Sequence, residues 1–282
     1  MPNLQVNSLS KRFQSLQVIK DLSMGFSPGQ IHCLFGPSGC GKTTLLQLMS
    51  GLLTPDGGEI RGVENSTFSY VFQEDRLLPW STVKENILFT LKGLSLSTQD
   101  RMERAEKYLA LVGLEDFKDY YPGQLSGGMK QRVSIARAFA YGGDILILDE
   151  PFKGLDFERK KSLIDYILSY LNRDLELNHL DSSKGPDLNK DANSIRASDK
   201  DGNLVLSSDL NKKSDLNKKR PLCFFVTHDV EEALYLADQI HVFTGPPLSL
   251  VNQLNIIIPP QERSREKEKM EHYREMLLNG KQ

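Results

Sequence analysis

Hydrophobic positions along the chain fall into short runs separated by turn residues. Their period shifts between two and about 3.6 residues, the periods of strands and helices. Leu4 to Phe13 reads as a strand, with turn residues at Ser8 and Ser10. The mostly apolar run Gln30-Ile31-His32-Cys33-Leu34-Phe35, bounded by Pro28-Gly29 and Gly36-Pro37, predicts a buried strand. Thr43 to Met49 then carries Leu45, Leu46 and Leu48 at helical spacing. The stretch from about 83 to 140 is mostly helical in pattern. Amphipathic helices are predicted over Arg101–Val112 and, after a Ser-Gly-Gly turn, over Gly127–Ala140. Asp144 to Leu148 and Leu222 to Thr227 are short apolar runs, as parallel strands covered on both faces require. The second leads into a helical pattern over Val230–Ala237. Glu262 to Leu278 pairs Glu and Lys at i,i+4 and predicts a solvated or loosely docked helix. Strands alternating with helices imply an α/β domain with a largely parallel sheet.

One stretch breaks this pattern. From about Asp174 to Lys219 there are no aromatic residues and few clustered apolar ones, and Asp-Leu-Asn-Lys recurs at 187–190, 209–212 and 215–218. Such a segment buries too little apolar surface to offset chain entropy, so it reads as a flexible insertion. It is either a solvated spacer or a partner-docking repeat. The repeat is too short and too polar for a solenoid.

Composition narrows the function classes. Hydrophobic residues make up 39% and charged residues 26%, with a formal net charge of −2, which is ordinary for a globular chain and argues against nucleic-acid binding through bulk electrostatics. No segment approaches the roughly 18–20 consecutive apolar residues of a membrane span. Met1-Pro2-Asn3-Leu4-Gln5 has no basic region followed by an apolar one, so no secretion signal is expected. Cys33, Cys40 and Cys223 read as reduced thiols of a cytosolic chain.

Three motifs carry chemistry. Gly36-Pro37-Ser38-Gly39-Cys40-Gly41-Lys42-Thr43 fits a phosphate-binding loop between an apolar strand and a helix. Its glycines let backbone amides curl around a triphosphate, and the helix N-terminus adds positive potential. Lys42 would reach the β- and γ-phosphates, the Thr43 hydroxyl would bind Mg²⁺, and Thr44 would add an α-phosphate contact. Ile145-Leu146-Ile147-Leu148-Asp149-Glu150-Pro151 ends an apolar strand in two carboxylates. Open parallel sheets hold ligands at such carboxyl ends. Asp149 would hold Mg²⁺, and Glu150 would polarise the attacking water as general base. Leu125-Ser126-Gly127-Gly128-Met129-Lys130-Gln131-Arg132 opens a helix with a third backbone nest, suited to a γ-phosphate.

Leu-Ser-Gly-Gly followed by Gln-Arg resembles the signature sequence of ATP-binding-cassette (ABC) ATPases. The resemblance implies a P-loop NTPase (RecA-like) ABC core of α/β class, with an N-terminal antiparallel β subdomain and an inserted helical subdomain at about 85–140. On this reading residues 1–282 are one ABC ATPase domain, with the insertion at about 174–219 and a short tail at 259–282. Phe13 resembles the aromatic that stacks on adenine; the alternative is a strand core residue. Gln73, in Val71-Phe72-Gln73-Glu74, resembles the glutamine that contacts Mg²⁺ and the attacking water. Asp156, in Gly154-Leu155-Asp156, resembles the aspartate that communicates across a dimer, and His228, in Val226-Thr227-His228-Asp229, the switch histidine at the γ-phosphate. The other histidines read as structural or solvated. Lys153 departs from the family, which usually has a small residue there.

The resemblance also implies partners. The nest of Ser126, Gly127 and Gly128 faces the nucleotide of the opposite subunit, so the functional unit would be a head-to-tail homodimer holding two ATP molecules. The chain would be the ATPase subunit of a bacterial-type importer, working on an integral membrane permease and indirectly with a solute-binding protein, without nucleic acid. It would sit in the cytoplasm at the inner face of the membrane. Phe72-Gln73-Glu74-Asp75-Arg76-Leu77-Leu78-Pro79-Trp80, then Thr82-Val83-Lys84-Glu85-Asn86, resembles the nitrate/sulfonate/taurine branch, as does the short ending after His228. Trp80 is either a permease contact or packed within the helical lobe. The competing function is an ABC ATPase of a non-transport cell-envelope complex.

Overall fold

The computed structural model describes residues 3–153, 155, 157–171, 220–260 and 262–279, without the side chains of 157–159 and 279. The insertion expected at 174–219 lies outside the described residues, as do Gly154 and Asp156. The first sheet has three antiparallel strands in the order β2-β1-β4: β1 is Leu4–Phe13, β2 Leu16–Phe26 and β4 Gly57–Arg61. The second has six strands in the order β5-β6-β7-β3-β8-β9. These are β3 Ile31–Phe35, β5 Phe68–Val71, β6 Ile145–Asp149, β7 Leu222–Thr227, β8 Gln239–Thr244 and β9 Ser249–Asn255. All neighbours in it are parallel except the β8–β9 pair.

Every residue of β3, β6 and β7 is buried, because helices or a second sheet cover both faces. Alternate side chains serve the two sides. Ile31, Cys33, Phe35, Leu146 and Leu148 join one core cluster with the helices α2 (Val83–Leu91), α3 (Thr98–Leu111), α4 (Gly127–Tyr141) and α5 (Phe157–Leu171). Leu34, Ile145, Ile147, Phe224 and Val226 join the other, with the antiparallel sheet and α1 (Lys42–Met49). Leu45, Leu46, Leu48 and Met49 anchor α1 there, and burial of each contributes about 1.5–3 kcal/mol. Helix α3 starts earlier than its apolar period suggested, because Ser97 and Asp100 form a capping box.

The two buried histidines are structural. His32 Nε2 lies 2.9 Å from the Ser27 carbonyl, and His32 Nδ1 lies 3.1 Å from His241 Nε2. A carbonyl only accepts, so neutral His32 donates from Nε2 and accepts at Nδ1 from His241 Nε2. His241 Nδ1 is then a buried acceptor with no partner among the described residues. Protonating His241 there would add a donor with nothing among the described residues to receive it. Burial, then the neighbouring His32, holds His241 down at about 3, and burial lowers His32 despite the nearby Asp238 carboxylate. Both folded values lie below the ordinary 6.5 regained on unfolding. The unfolded chain therefore binds more protons in this window, and the stability of the neutral pair, complete above it, is lost as pH falls from 6.5 toward 3. Urea unfolding at pH 7 and about pH 5.5 checks this: His241 alone should account for a loss of about 1.2 kcal/mol, absent in His241→Phe.

The tail is docked more firmly than expected. Its helix α7 spans Lys267–Asn279, starting later than Glu262 because Glu262–Arg265 form turns, with Arg265 N–H donating to Glu262 O at 2.9 Å. Arg263 is thereby turned inward and is 2% exposed. Leu277 is buried, Met270 and Tyr273 pack on the core, and Arg274 pairs with Glu231 of α6 (Val230–Leu236).

Candidate functional site

The register of the parallel strands sets the site. Phe35 lies opposite Thr227, Asp149 opposite Val226, and Val71 opposite Leu148. The residues that follow these strands, Gly36, His228, Glu150 and Gln73, therefore emerge at one carboxyl edge of the sheet. They lie far apart in sequence.

The phosphate-binding loop runs from the end of β3 into α1. A Cβ on Gly36 would lie 2.4 Å from the Phe243 carbonyl, and Gly41 has φ +115° with Val18 Cγ1 3.0 Å from where a Cβ would stand. Only glycine fits this loop path at those two points. Pro37, Ser38 and Gly39 are exposed, and Cys40 is buried. The Lys42 ammonium folds into the loop, donating to the carbonyls of Gly36 at 2.9 Å and Pro37 at 2.7 Å, and lies 3.7 Å from Cys40 Sγ. A cation enclosed by a backbone curl at a helix N-terminus is a binding site for a polyphosphate. Thr44 is partly exposed on the first turn of α1.

Thr43 Oγ1 donates to Asp149 Oδ1 at 3.0 Å, joining the loop to the acidic strand end. Burial raises the Asp149 carboxyl above the ordinary carboxylate value, against the Thr43 hydrogen bond; the charge of Glu150 adds to the rise and Lys42 offsets it. Burial, then Asp149, pushes the Tyr70 phenol upward, so Tyr70 stands beside the carboxylate as a neutral group. Its place on β5 gave no sequence signal. A hydroxyl and a carboxylate, both hard oxygen donors, suit Mg²⁺. Among the described residues no three His, Cys, Asp or Glu side chains gather as a metal cluster.

Glu150 has φ +49°, sparsely populated for a residue with a Cβ. Its Oε2 accepts from Gln73 Nε2 at 3.2 Å and lies 3.4 Å from Lys153 Nζ. The segment after Gln73 is held by α4. Ser134 Oγ donates to the Asp75 carbonyl at 3.4 Å, and Arg137 donates to the carbonyls of Asp75 and Arg76 at 3.2 and 2.9 Å. Gln131 Nε2, also on α4, donates to the Pro151 carbonyl at 3.1 Å. One helix thus ties the segment after Gln73 to the segment after Glu150.

His228 is exposed at the end of β7. The turn beneath it is cross-linked: Thr227 donates to Glu232, Asp229 caps α6 by accepting from the N–H groups of Glu231 and Glu232, and Lys160 pairs with Glu232 at 2.6 Å and Asp229 at 3.2 Å. Ser126 caps α4, accepting from Met129 N–H at 3.3 Å; Ser126 and Gly127 are exposed and Gly128 is partly so. Among the described residues, no hydrogen bond joins this nest to the phosphate-binding loop of the same chain.

Two aromatic residues stand outside the core. Phe13 is 43% exposed, with Lys11 Nζ 5.6 Å from its ring centre, so it is not a core residue. Trp80 is 74% exposed and does not pack within the helical lobe. Its loop is shaped by buried Asn86, which accepts from Leu78 N–H at 2.8 Å and donates to the carbonyls of Leu78, Ser81 and Thr82.

Comparisons with known proteins give the family. The ABC transporter family profile matches residues 19–153. An uncharacterized ABC transporter ATP-binding protein of Methanocaldococcus jannaschii is 32% identical over 98% of this chain and 90% of its own length. The nitrate import ATP-binding protein of Synechocystis is 32% identical over 93% of this chain and 85% of its own. A solved dimeric ATP-binding cassette, described in a post-hydrolysis state with ADP and Pi, superposes with a TM-score of 0.65 at 22% identity, covering 89% of this chain and 98% of that one. No described helix is long and apolar enough to cross a membrane. The chain belongs to the ABC transporter ATP-binding protein family and is an ABC ATPase.

Proposed function

We propose that this chain is the ATP-hydrolysing subunit of an importer of the nitrate/sulfonate/taurine-like class, driving solute uptake through a separate permease. The convergence of the phosphate-binding loop, Asp149-Glu150, Gln73 and His228 on one sheet edge carries the reading. The nitrate-import relative supports the transport class.

ATP would bind with its adenine on Phe13 and its phosphates within Gly36–Thr44. Lys42 exchanges the two loop carbonyls for the β- and γ-phosphates, which neutralises their charge. Thr43 and Asp149, with Gln73, would hold Mg²⁺, which when bound would supply positive charge to the phosphates. Ser126, Gly127 and Gly128 face outward, so they would close on the nucleotide of a second copy, with Asp156 communicating between the two. Glu150 accepts the proton of the attacking water, and His228 donates toward the γ-phosphate. Helix α4 couples this step to the exposed loop of Trp80, which would meet the permease. Before closure, ATP sites lack their second wall, so hydrolysis requires the homodimer.

The subunit would lie at the inner face of the membrane, and a solute-binding protein would act on it only through the permease. The test is purification of the tagged chain from detergent-solubilised native membranes. An integral membrane permease should co-purify in fixed ratio, and solute-loaded binding protein should raise the ATPase rate. A chain recovered alone at full turnover would favour the non-transport cell-envelope reading instead.

A further inference from the structure

We propose that Lys153 is a positioning residue for Glu150: with Gln73 it holds one carboxylate oxygen so that the other is presented to the attacking water. This rests on the reading of Glu150 as the general base.

Two donors converge on the same atom. Glu150 Oε2 accepts from Gln73 Nε2 at 3.2 Å and lies 3.4 Å from Lys153 Nζ. Among the described residues, Oε1 has no hydrogen-bond partner in the protein. One donor alone leaves a carboxylate free to swing about its side-chain torsions; two donors from different segments restrict it. The backbone is built for the second contact. Glu150 takes its left-handed φ of +49°, and the turn is closed by Lys153 N–H donating to Glu150 O at 3.3 Å. The same strained turn aims the Glu150 side chain at the sheet edge and brings the ammonium three residues later back over it.

The pair is ill-suited to a stabilising role. The Lys153 side chain is 60% exposed and that of Glu150 16%, and an ion pair open to water on one side contributes little to folding. Its consequence therefore falls on the carboxylate. A general base must stand within hydrogen-bond reach of the water it deprotonates, and misplacement by about 1 Å can cost up to ~10²-fold. Asp149 on β6 and Lys42 on α1 are engaged with Thr43 and with the loop carbonyls.

The experiment is steady-state ATP hydrolysis by the full chain carrying Lys153→Met or Lys153→Arg, with Glu150→Gln alongside. Lys153→Met keeps side-chain length without charge and should lower kcat about tenfold with KM for ATP unchanged. Lys153→Arg should stay within about twofold of the parent, because its guanidinium can reach the same oxygen. A Lys153→Met enzyme with kcat within about twofold of the parent, a higher kcat, or a loss expressed in KM would overturn the proposal. So would failure of Lys153→Arg to retain activity that Lys153→Met has lost. If Glu150→Gln turns over normally, the base assignment falls and takes this proposal with it. If Glu150→Gln is inactive, the base assignment stands whatever Lys153 does.

Discussion

Glu150→Gln should reduce ATP turnover by about 10²–10⁴-fold while leaving ATP binding intact, the range spanned by removal of a general base. The substitution is isosteric. Its amide oxygen can still accept from Gln73, so the 3.2 Å contact need not be lost. The phosphate-binding loop is untouched, since Lys42 and Thr43 make their contacts to Gly36, Pro37 and Asp149 and not to Glu150. What disappears is a group able to take the water's proton. The variant should therefore accumulate in the ATP-bound dimer. Equilibrium binding of ATP, single-turnover phosphate release and size-exclusion chromatography with ATP separate these steps. Parent-like phosphate release would refute the assignment. Loss of ATP binding would instead place Glu150 in nucleotide retention.

Arg263→Leu should destabilise the folded chain by about 3–5 kcal/mol, the usual consequence of removing one member of a buried charged network. The Arg263 side chain has no solvent exposure. Its Nε donates to the Ile258 carbonyl at 2.9 Å, and Nη1 donates to the carbonyls of Leu234 and Tyr235 at 3.0 and 2.8 Å. Those two carbonyls lie in the last turn of α6, where acceptors lack helical partners. Leucine would leave three acceptors without this donor and Asp238 without a cation 3.8 Å away. Burial already lowers the guanidinium to about 10, so it stays charged at neutral pH and that charge is what the network compensates. The urea midpoint of the full chain measures the loss, and faster proteolysis beyond Pro259 would report release of α7. A change below about 0.5 kcal/mol would mean that the carbonyls find other donors.

The motif residues were legible because their chemistry needs particular residue types at contiguous spacing. A glycine-rich curl ending in Lys42-Thr43, a strand ending in Asp149-Glu150 and a nest at Ser126-Gly127-Gly128 are local patterns. The strands β3, β6 and β7 were legible for a similar reason: burial on both faces writes an apolar run. The edge strands β4 and β9 were not, because each has exposed positions along its length and reads as polar loop. Glu262 read as the start of a solvated helix because charge spacing cannot show that Arg263 turns inward to serve carbonyls 28 and 29 residues upstream.

The sequence by itself determined the fold class, the family and the residue types of the site. Tertiary structure decided which of those residues meet. Strand register brings Gln73 to Glu150 across 77 positions and Thr43 to Asp149 across 106, and no local rule encodes pairings of that range. It also decided that Phe13 and Trp80 face outward and that His32 and His241 share a hydrogen bond in the core. In each case the side chain's role follows from what covers it, and that depends on chain segments far away in sequence.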